Sequence, residues 1–393
     1  MSQSVEKPQR RMTRHAPACP HRPPCPGCPR FGEPGIAPSA LASLESLARA
    51  HGLSGVEVVS GATAGFRHRA RLAIRGRVGA PRIGLFQSGT HRVVTIPQCS
   101  VHHPLINRVA QVVRRALVDA GVTCYSEAAH LGLARYLQVV VERRSQTAQV
   151  AVVANSANVE TLATCLDLIR ERLGPELHSL WFNANVARGN AILGPEFVHW
   201  CGPASVVERF GGAHVHYPPG AFGQNNLEIA DRIVEHVRAL VPEGSAVAEF
   251  YAGVGAIGLS LVERIRYLRM NEVSPASLQG LARGLDALPI ESRGKIEVVP
   301  GPAGAAASAA RGVDVVITDP PRKGIDRELV DELCARPPAR LVYVSCGLDS
   351  FMSDVARLTS GGAMALADLR AFNLMPYTDH VETVACFLRR PPL

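Results

Sequence analysis

The chain of 393 residues contains 47% hydrophobic and 19% charged residues, a composition typical of a folded globular protein rather than a disordered one. This length predicts two domains, because a single hydrophobic core rarely extends beyond about 300 residues. No apolar run is long enough to cross a bilayer, and the basic N-terminus lacks the apolar stretch of a secretory signal, so we expect a cytoplasmic protein without a membrane anchor. The formal net charge of +8 indicates an anionic partner.

The N-terminal segment is rich in Pro, Gly and Cys. Residues 1–18 are predicted to form a flexible basic tail, and the stretch after them has too few apolar residues for a core of its own. Cys19, Cys25 and Cys28 lie within ten residues, and Cys99 follows much later. Because cytosolic thiols stay reduced, cysteines grouped in this way indicate an inorganic centre or catalysis.

Three interpretations of these four cysteines remain open. Four thiolates can hold a [4Fe–4S] cluster or a zinc ion, and they could also be unligated thiols. The spacing differs from the paired C-x2-C knuckles of zinc ribbons, which favours the cluster, although His102 and His103 keep zinc possible. Five of the six other cysteines lie in apolar or featureless surroundings and are predicted to fill the core. They are Cys124, Cys165, Cys201, Cys334 and Cys386.

An arginine-rich stretch follows, in which ten arginines and no acidic residue lie between Glu57 and Asp119. Five of the arginines share one parity, which on a β-strand places them on one face. They are Arg67, Arg69, Arg71, Arg75 and Arg77. We expect this face to bind phosphates rather than water alone. Arginine also stacks on unpaired bases, which suits RNA, although charge alone does not exclude DNA.

Residues 19–218 are predicted to form an α+β domain, and residues 219–393 an α/β domain. The first contains helices near 39–51, 104–120 and 158–173, and strands near 66–75, 82–86, 91–96, 135–142, 148–153, 179–184 and 189–194. The helix near 39–51 could instead pack on the second domain. Here a helix from Leu227 to Leu240 precedes strands at Ala246–Tyr251, Tyr267–Val273, Lys295–Val299, Val313–Thr318 and Arg340–Ser345. Their alternation with helices indicates a parallel sheet, and two last strands near 363–371 and 381–389 should form an antiparallel hairpin at its edge.

A glycine-rich turn follows the first parallel strand, from Glu249 to Gly255. Glycine at such a turn lets the backbone approach a nucleotide closely. Glu272 ends the second strand, where a carboxylate can accept hydrogen bonds from a ribose. These features suit NAD and S-adenosylmethionine equally.

Three reactive side chains lie at strand ends of the same sheet. Asp319 follows the fourth parallel strand, Cys346 follows the fifth, and Glu382 begins the last, antiparallel strand. The start of an antiparallel strand and the ends of its parallel neighbours share one edge, where open α/β sheets bind ligands. Singly, Cys346 could be a buried strand-end residue and Glu382 an edge charge. Together they favour a catalytic site.

With these motifs, the chain resembles the RNA uridine-5-methyltransferase family, specifically its iron–sulfur branch that modifies ribosomal RNA. The matching residues are Cys19, Cys25, Cys28 and Cys99; Phe222 to Asn226; Glu249 to Gly255; Glu272; Asp319 to Arg322; Ser345 and Cys346; and His380 to Glu382. The resemblance implies a Rossmann-like class I methyltransferase domain with a seven-stranded sheet, joined to an α+β iron–sulfur domain that binds RNA. Only 18 residues precede Cys19, so we expect no N-terminal TRAM domain.

The resemblance also implies a mechanism and the residues that carry it out. Cys346 would add to C6 of a uridine, C5 would take a methyl group from S-adenosylmethionine, and Glu382 would remove the C5 proton. Asp319, Phe222 and Arg322 would bind the substrate. The cofactor would contact Gln224, Tyr251, Gly253, Glu272 and Asp319, and a [4Fe–4S] cluster would be bound by Cys19, Cys25, Cys28 and Cys99. Asp286 departs from the asparagines that relatives often have there, which leaves part of the adenosine contact open.

Ribosomal RNA is the expected substrate, with transfer RNA as the alternative, and we expect a monomer without an obligate protein partner. A non-catalytic iron–sulfur RNA-binding protein is a second interpretation. A 5-methylcytidine methyltransferase would usually have Pro-Cys where this chain has Asp319-Pro-Pro-Arg322. A nicotinamide-dependent oxidoreductase would need a hydride-transfer site, for which the sequence gives no candidate.

Overall fold

The computed structural model describes residues 19–391, and its first two elements are helix α1 (Pro38–Ala50) and strand β1 (Glu57–Val59). A seven-stranded sheet follows, in the order β4-β3-β2-β5-β6-β7-β8. Its strands are β2 (Arg69–Arg77), β3 (Ala80–Phe86), β4 (Val93–Thr95), β5 (Ala134–Val141), β6 (Ala148–Ala154), β7 (Leu177–Ala184) and β8 (Glu196–Cys201). Only β6 and β7 pair in parallel within it.

Helices α2 (Pro104–Asp119) and α3 (Ala163–Leu173) cover one face of this sheet. Ile106, Val109, Val113 and Leu117 recur at the three- and four-residue spacing of one helix face, and all four are buried. The N-terminus of α2 is capped by His103, whose Nδ1 accepts a hydrogen bond from the Leu105 amide over 3.3 Å. Strands β5 and β6 are buried on both faces, which explains why they are nearly continuous apolar runs.

The strand predicted at 189–194 is wrong, because the chain forms a loop there and β8 begins at Glu196. The Asn185 side chain donates to the carbonyl oxygens of Ala191 and Ile192 at 2.8 and 3.1 Å, so side-chain hydrogen bonds replace a strand ladder. An antiparallel hairpin that the sequence did not predict follows, formed by β9 (Val206–Phe210) and β10 (Ala213–Tyr217).

The C-terminal sheet has eight strands in the order β1-β16-β17-β15-β14-β11-β12-β13. After helix α4 (Leu227–Leu240) come β11 (Ala246–Phe250), α5 (Gly258–Leu261), β12 (Tyr267–Glu272), α6 (Pro275–Asp286), α7 (Ile290–Arg293), β13 (Ile296–Pro300), β14 (Val315–Thr318), α8 (Arg327–Ala335), β15 (Arg340–Ser345), α9 (Leu348–Ser360), β16 (Met364–Phe372) and β17 (Glu382–Arg389). The bounds of its seven predicted strands agree with the structure within two residues. Strands β11 to β15 are parallel, and β17 and β16 form the expected antiparallel edge.

The prediction of seven strands is wrong, because β1 adds an eighth that pairs in parallel with β16. Glu57 lies opposite Arg370, and their side chains form an ion pair of 3.1 Å. Helix α1 packs on the same sheet, and its Leu44 is fully buried in one cluster with Val316 and Leu333. The segment from α1 to β1 therefore completes the C-terminal core, although it precedes the first sheet in sequence.

Only part of the arginine face predicted to bind phosphates is open to solvent. Arg69 is half-buried, with its guanidinium 4.1 Å from the centre of the Tyr217 ring, and Arg67 is half-buried beside the cysteines. Arg75 is buried among aromatic rings and forms an ion pair with Glu127. The alternating spacing correctly predicts that these arginines share one side of the strand. Other segments cover part of that side, so only Arg71 and Arg77 of the five arginines are exposed.

The prediction that five of the other cysteines fill the core is confirmed for Cys124, Cys165 and Cys386, which are buried. Cys201 is half-buried, and the prediction is wrong for Cys334, which is exposed on helix α8. Between residues 19 and 391, helices are too short or too polar to cross a bilayer.

Candidate active site and cysteine cavity

The register of β15 and β17 brings Cys346 next to Glu382. Ser345 is the last residue of β15 and lies opposite Thr383, so the next residue, Cys346, and the preceding one, Glu382, meet at the end of the ladder. Asp319 lies at the same edge, because it directly follows β14, which pairs with β15. Glu382 is only 4% exposed. The structure thus brings together the three side chains that the sequence placed at this edge.

Burial and the acidic groups at this edge keep the thiol protonated. Burial, followed by the negative charges of Glu382 and Asp319, raises the pKa of Cys346 to about 11, whereas the positive charge of Arg322 opposes that rise. Burial raises the pKa of Asp319 to about 7. Burial and the neighbouring Asp319 also raise the pKa of Glu382 well above its usual range, which Arg322 again opposes. Arg322 is therefore the charge that favours a thiolate here.

Two buried oxygen atoms at this edge lack hydrogen-bond partners among the residues that the structure describes. They are Oε1 of Glu382 and Oγ1 of Thr318, the residue before Asp319. Buried polar groups in folded proteins almost always have a partner, so each unsatisfied one needs an explanation. A polar ligand at this edge, such as a nucleobase, would supply the missing donors.

The glycine-rich turn after β11 is shaped by two positive φ angles, +58° at Gly253 and +89° at Gly255. A Cβ atom on Gly255 would lie 2.8 Å from a methyl group of Leu281, so a side chain does not fit there. The carboxylate of Glu272 accepts hydrogen bonds from the amides of Gly253, Val273 and Ser274 at 2.7, 2.9 and 2.6 Å. Glu272 is thereby fixed beside the turn, with lone pairs left to accept from ribose hydroxyl groups.

The other residues predicted to contact cofactor or substrate lie in two segments. The hydroxyl oxygen of Tyr251 accepts a hydrogen bond from the Asp326 amide over 2.8 Å, which occupies that group within the protein. Phe222 and Gln224 lie between β10 and α4; Phe222 is 64% exposed, and Gln224 is half-buried. Nδ2 of Asn226 donates to the Leu374 carbonyl over 3.2 Å, which ties this segment to the loop that precedes Glu382.

Relatives that match most of the chain are described as RNA methyltransferases. A family model described as tRNA (Uracil-5-)-methyltransferase matches residues 310–390, the part that carries Asp319, Cys346 and Glu382. An uncharacterized RNA methyltransferase of Protochlamydia amoebophila is 33% identical over 386 residues, which cover 96% of this chain and 99% of that protein. The chain belongs to the RNA uracil-5-methyltransferase family. The enzyme class predicted from the sequence, an S-adenosylmethionine-dependent RNA methyltransferase, is confirmed.

Two further comparisons agree with this assignment. An uncharacterized RNA methyltransferase of Geobacter sulfurreducens is 29% identical over 339 residues, which cover 83% of this chain and 66% of that protein. The solved structure of the Pyrococcus abyssi tRNA (uracil-54, C5)-methyltransferase in complex with S-adenosyl-L-homocysteine is 24% identical, with a TM-score of 0.73. It covers 89% of this chain and 83% of that one, and it confirms the Rossmann-like methyltransferase fold.

In this RNA methyltransferase, the four grouped cysteines line one cavity. Cys19, Cys25, Cys28 and Cys99 surround a volume of about 100 Å³ beside Arg67. Burial and then the charges of the other three thiols raise the pKa of Cys28 to about 11. Across residues 19–391, metal-binding side chains do not come close enough in groups of three or more to hold a single ion. Four thiol donors around one cavity are chemically suited to a sulfur-ligated inorganic group.

The histidines near Cys99 are engaged elsewhere. His103 uses Nδ1 to cap α2, and its Nε2 lies 3.0 Å from the side-chain oxygen of Gln146. Nδ1 of His102 lies 3.3 Å from Oδ1 of Asn107. These contacts engage both ring nitrogens of His103 and Nδ1 of His102, so the zinc interpretation rests mainly on the four thiols.

The sequence did not identify two residues that shape the active site. His380 was noted only as part of the His380-Val-Glu382 motif, yet its Nε2 accepts a hydrogen bond from Arg322. Thr318 gave no signal beyond its place at the end of a strand. Its position next to Asp319 was the one available sign that its buried hydroxyl group lies near the site.

Proposed function

We propose that this enzyme methylates C5 of a uridine in RNA through a covalent bond between Sγ of Cys346 and C6 of the base. The observation that carries the proposal is the end of the β15–β17 ladder, where a thiol and a buried carboxylate with a free Oε1 atom are neighbours. The adjacent glycine-rich turn and Glu272 suit the methyl donor.

The chemistry requires both groups. The C5 atom of uridine is a poor nucleophile, so Cys346 loses its proton to solvent and its thiolate adds to C6, which places the electron pair on C5 and O4 as an enolate. S-adenosylmethionine, when bound, supplies the methyl group that C5 takes up. Glu382 then accepts the C5 proton; the electrons of that C–H bond restore the C5–C6 double bond, the C6–S bond breaks, and Cys346 leaves as a thiolate.

The remaining site residues hold the reactants. A base stacked in a helix exposes no ring face for attack, so the uridine must be flipped out of its stack. We assign Asp319 and Arg322 to the polar edge of uracil and the exposed Phe222 to the wall of the base pocket. Gln224, Gly253, Glu272 and the backbone at Tyr251 would hold the methyl donor.

The direct test uses Cys346→Ala and Glu382→Gln in the full chain with uridine-only and cytidine-only RNA. We expect Cys346→Ala to bind RNA but transfer no methyl group to it. Glu382→Gln should lower turnover by about 10²- to 10⁴-fold and accumulate a covalent protein–RNA complex, because the adduct forms but cannot lose the C5 proton. Methylation by Cys346→Ala, or methylation of cytidine-only RNA alone, would contradict the proposal.

We propose ribosomal RNA as the target, because the cysteine cavity is the feature shared with the iron–sulfur branch that acts on it. Transfer RNA is the alternative, favoured by the family model's description and by the substrate named for the Pyrococcus abyssi enzyme. Mass-spectrometric mapping of 5-methyluridine in both RNAs, from cells with and without the gene, decides between them. Loss of the modification from transfer RNA alone would overturn the ribosomal assignment.

We also propose that the cysteine cavity binds a [4Fe–4S] cluster with a structural role, since all four ligands come from the protein. The matched pair is Cys28→Ala, inside the cavity, and Cys334→Ala, on an exposed helix face. Protein purified without oxygen should contain about four iron and four sulfide atoms per chain, which only Cys28→Ala should lose. Stoichiometric zinc in place of iron would refute the cluster. The monomeric state, the lack of a protein partner and the cytoplasmic location stay predictions.

A further inference from the structure

The segment after Cys28 contacts the loop before Glu382. We call residues 29–35 the clamp segment and residues 373–381, which join β16 to β17, the base loop. The amide of Arg30 donates to the Tyr377 carbonyl over 3.0 Å. Nη1 of the same arginine lies 3.1 Å from the Gly35 carbonyl oxygen and 3.3 Å from that of Thr378. One guanidinium thus joins the two segments.

An aromatic contact reinforces this junction. The rings of Phe31 and Tyr377 lie 5.1 Å apart, and Tyr377 is buried in a small cluster with Phe66 and Val101. Tyr377 has a φ of +67°, a region that residues other than glycine rarely occupy. Such a conformation persists only where the surrounding structure holds it. The clamp segment supplies part of that surrounding structure.

Further hydrogen bonds hold the beginning of the base loop and connect residues within it. Nδ2 of Asn373 donates to the Pro34 carbonyl over 2.6 Å, which fixes the beginning of the loop. Oγ1 of Thr378 donates to the Met375 carbonyl over 2.8 Å and accepts from the His380 amide over 3.3 Å. Glu382 begins β17 two residues later. Arg30 therefore binds the base loop at Thr378, whose side chain is hydrogen-bonded to Met375 and His380.

We propose that Arg30 is a positioning residue for the methylation reaction, which holds the base loop so that Glu382 reaches C5 of the base attached to Cys346. The inference rests on the proposed function, because it needs Glu382 as the base. Cys346 directly follows β15, whereas Glu382 directly follows the base loop. Loosening the loop should therefore slow proton removal more than it slows the addition of the thiolate.

Arginine suits this position better than lysine does. The Arg30 side chain is only 14% exposed, and its planar guanidinium donates to Glu33 while Nη1 bridges the two carbonyl oxygens. Hydrogen bonds from a charged donor are stronger than neutral ones, and a lysine ammonium cannot reproduce the fixed fork.

The experiment compares full-length Arg30→Gln and Arg30→Lys with Arg327→Gln, a control whose arginine is 83% exposed on helix α8. Four quantities are measured: iron content, kcat and KM for methylation, the covalent protein–RNA complex that accumulates on ordinary RNA, and hydrogen–deuterium exchange of peptide 373–381. For Arg30→Gln we expect unchanged iron, a kcat lower by about 10- to 100-fold with little change in KM, more covalent complex and faster exchange. Arg30→Lys should fall between Arg30→Gln and the wild type.

The outcomes that overturn the inference are distinct. Arg30→Gln could retain the wild-type kcat. It could also lose both methylation and the adduct that Cys346 forms with 5-fluorouridine RNA, whose C5 carries fluorine in place of a removable proton; that result would mean that Cys346 is also displaced. If Arg30→Gln does not fold, Phe31→Leu removes only the ring contact with Tyr377, and it must show the same pattern more weakly for the inference to stand. Failure of the proposed function looks different, because the wild type would then form no adduct with 5-fluorouridine RNA.

Discussion

Nη2 of Arg322 donates a hydrogen bond to Nε2 of His380 over 2.9 Å, which links the loop after β14 to the residue two positions before Glu382. Burial, followed by the charge of Arg322, lowers the pKa of His380, so its imidazole is neutral and can accept this bond. The contact holds the guanidinium at the edge where Cys346 needs a positive charge to ionise.

We therefore expect Arg322→Gln to make Cys346 less reactive towards a thiol reagent, because the pKa of the thiol rises further when the positive charge is lost. Arg322 is exposed and its field is screened, so the alkylation rate at pH 8 should fall by at most about tenfold. Mass spectrometry of the Cys346 peptide gives the rate. The control is Lys323→Gln, which removes a charge from the next residue; an equal effect of both variants would contradict a specific role for Arg322.

Glu249 should make the stability of the ligand-free enzyme fall as the pH rises. Burial raises the pKa of this carboxyl from 4.5 to about 8, and the charges of Asp319 and Glu272 add to the rise. The folded state thus binds the proton more tightly than the unfolded state, so this contribution is complete below pH 4.5 and is lost as the pH rises through about 8. We expect Tm to drop less between pH 5 and pH 8 in Glu249→Gln than in the wild type. The exposed Glu291→Gln should follow the wild type, and parallel curves for all three proteins would count against the prediction.

Leu44→Ala should destabilise the C-terminal core although it lies in the first helix. Leu44 is 0% exposed and packs with residues of the C-terminal sheet and of α8. Its truncation should cost about 2–5 kcal/mol in the free energy of unfolding by urea, because it leaves a cavity. Leu41→Ala, at a half-buried position of the same helix, should cost clearly less. Equal and small losses at both positions would show that α1 contributes little to that core.

Substitution of two arginines of β2 should affect different properties, RNA affinity in one case and stability in the other. Arg77 is exposed, so Arg77→Ala should weaken RNA binding and reduce the slope of log affinity against log salt by about 1, as a phosphate contact would. Arg75 is buried against Glu127, so Arg75→Ala should instead lower the free energy of unfolding by about 1–3 kcal/mol, because it removes a buried hydrogen-bonded ion pair. Salt titrations of RNA affinity and urea unfolding measure the two effects. The prediction fails if Arg77→Ala has an unchanged salt slope.

The active-site edge could be predicted because strand ends carry sequence signals. Cys346 and Glu382 each border a run of apolar residues, and the parallel or antiparallel direction of those runs fixes the edge they share. The buried state of Arg75 had no such signal, since parity shows which residues share a face but not which segment covers it. The contact of Arg30 with the base loop could not be predicted from the sequence either, because the acceptors are backbone carbonyls, one of them 348 residues away in sequence.

The pairing of β1 with β16 and the packing of α1 mean that a cut between the two sheets would not yield two separate proteins. A fragment that started near residue 219 would expose the outer edge of β16 and leave an apolar hollow where Leu44 belongs. An excised catalytic half would have to carry residues 36–59 with it, joined by an artificial linker. The first sheet lies in sequence between two segments that both belong to the C-terminal core. Insertions or deletions within the first sheet must therefore leave both of its connections to that core intact.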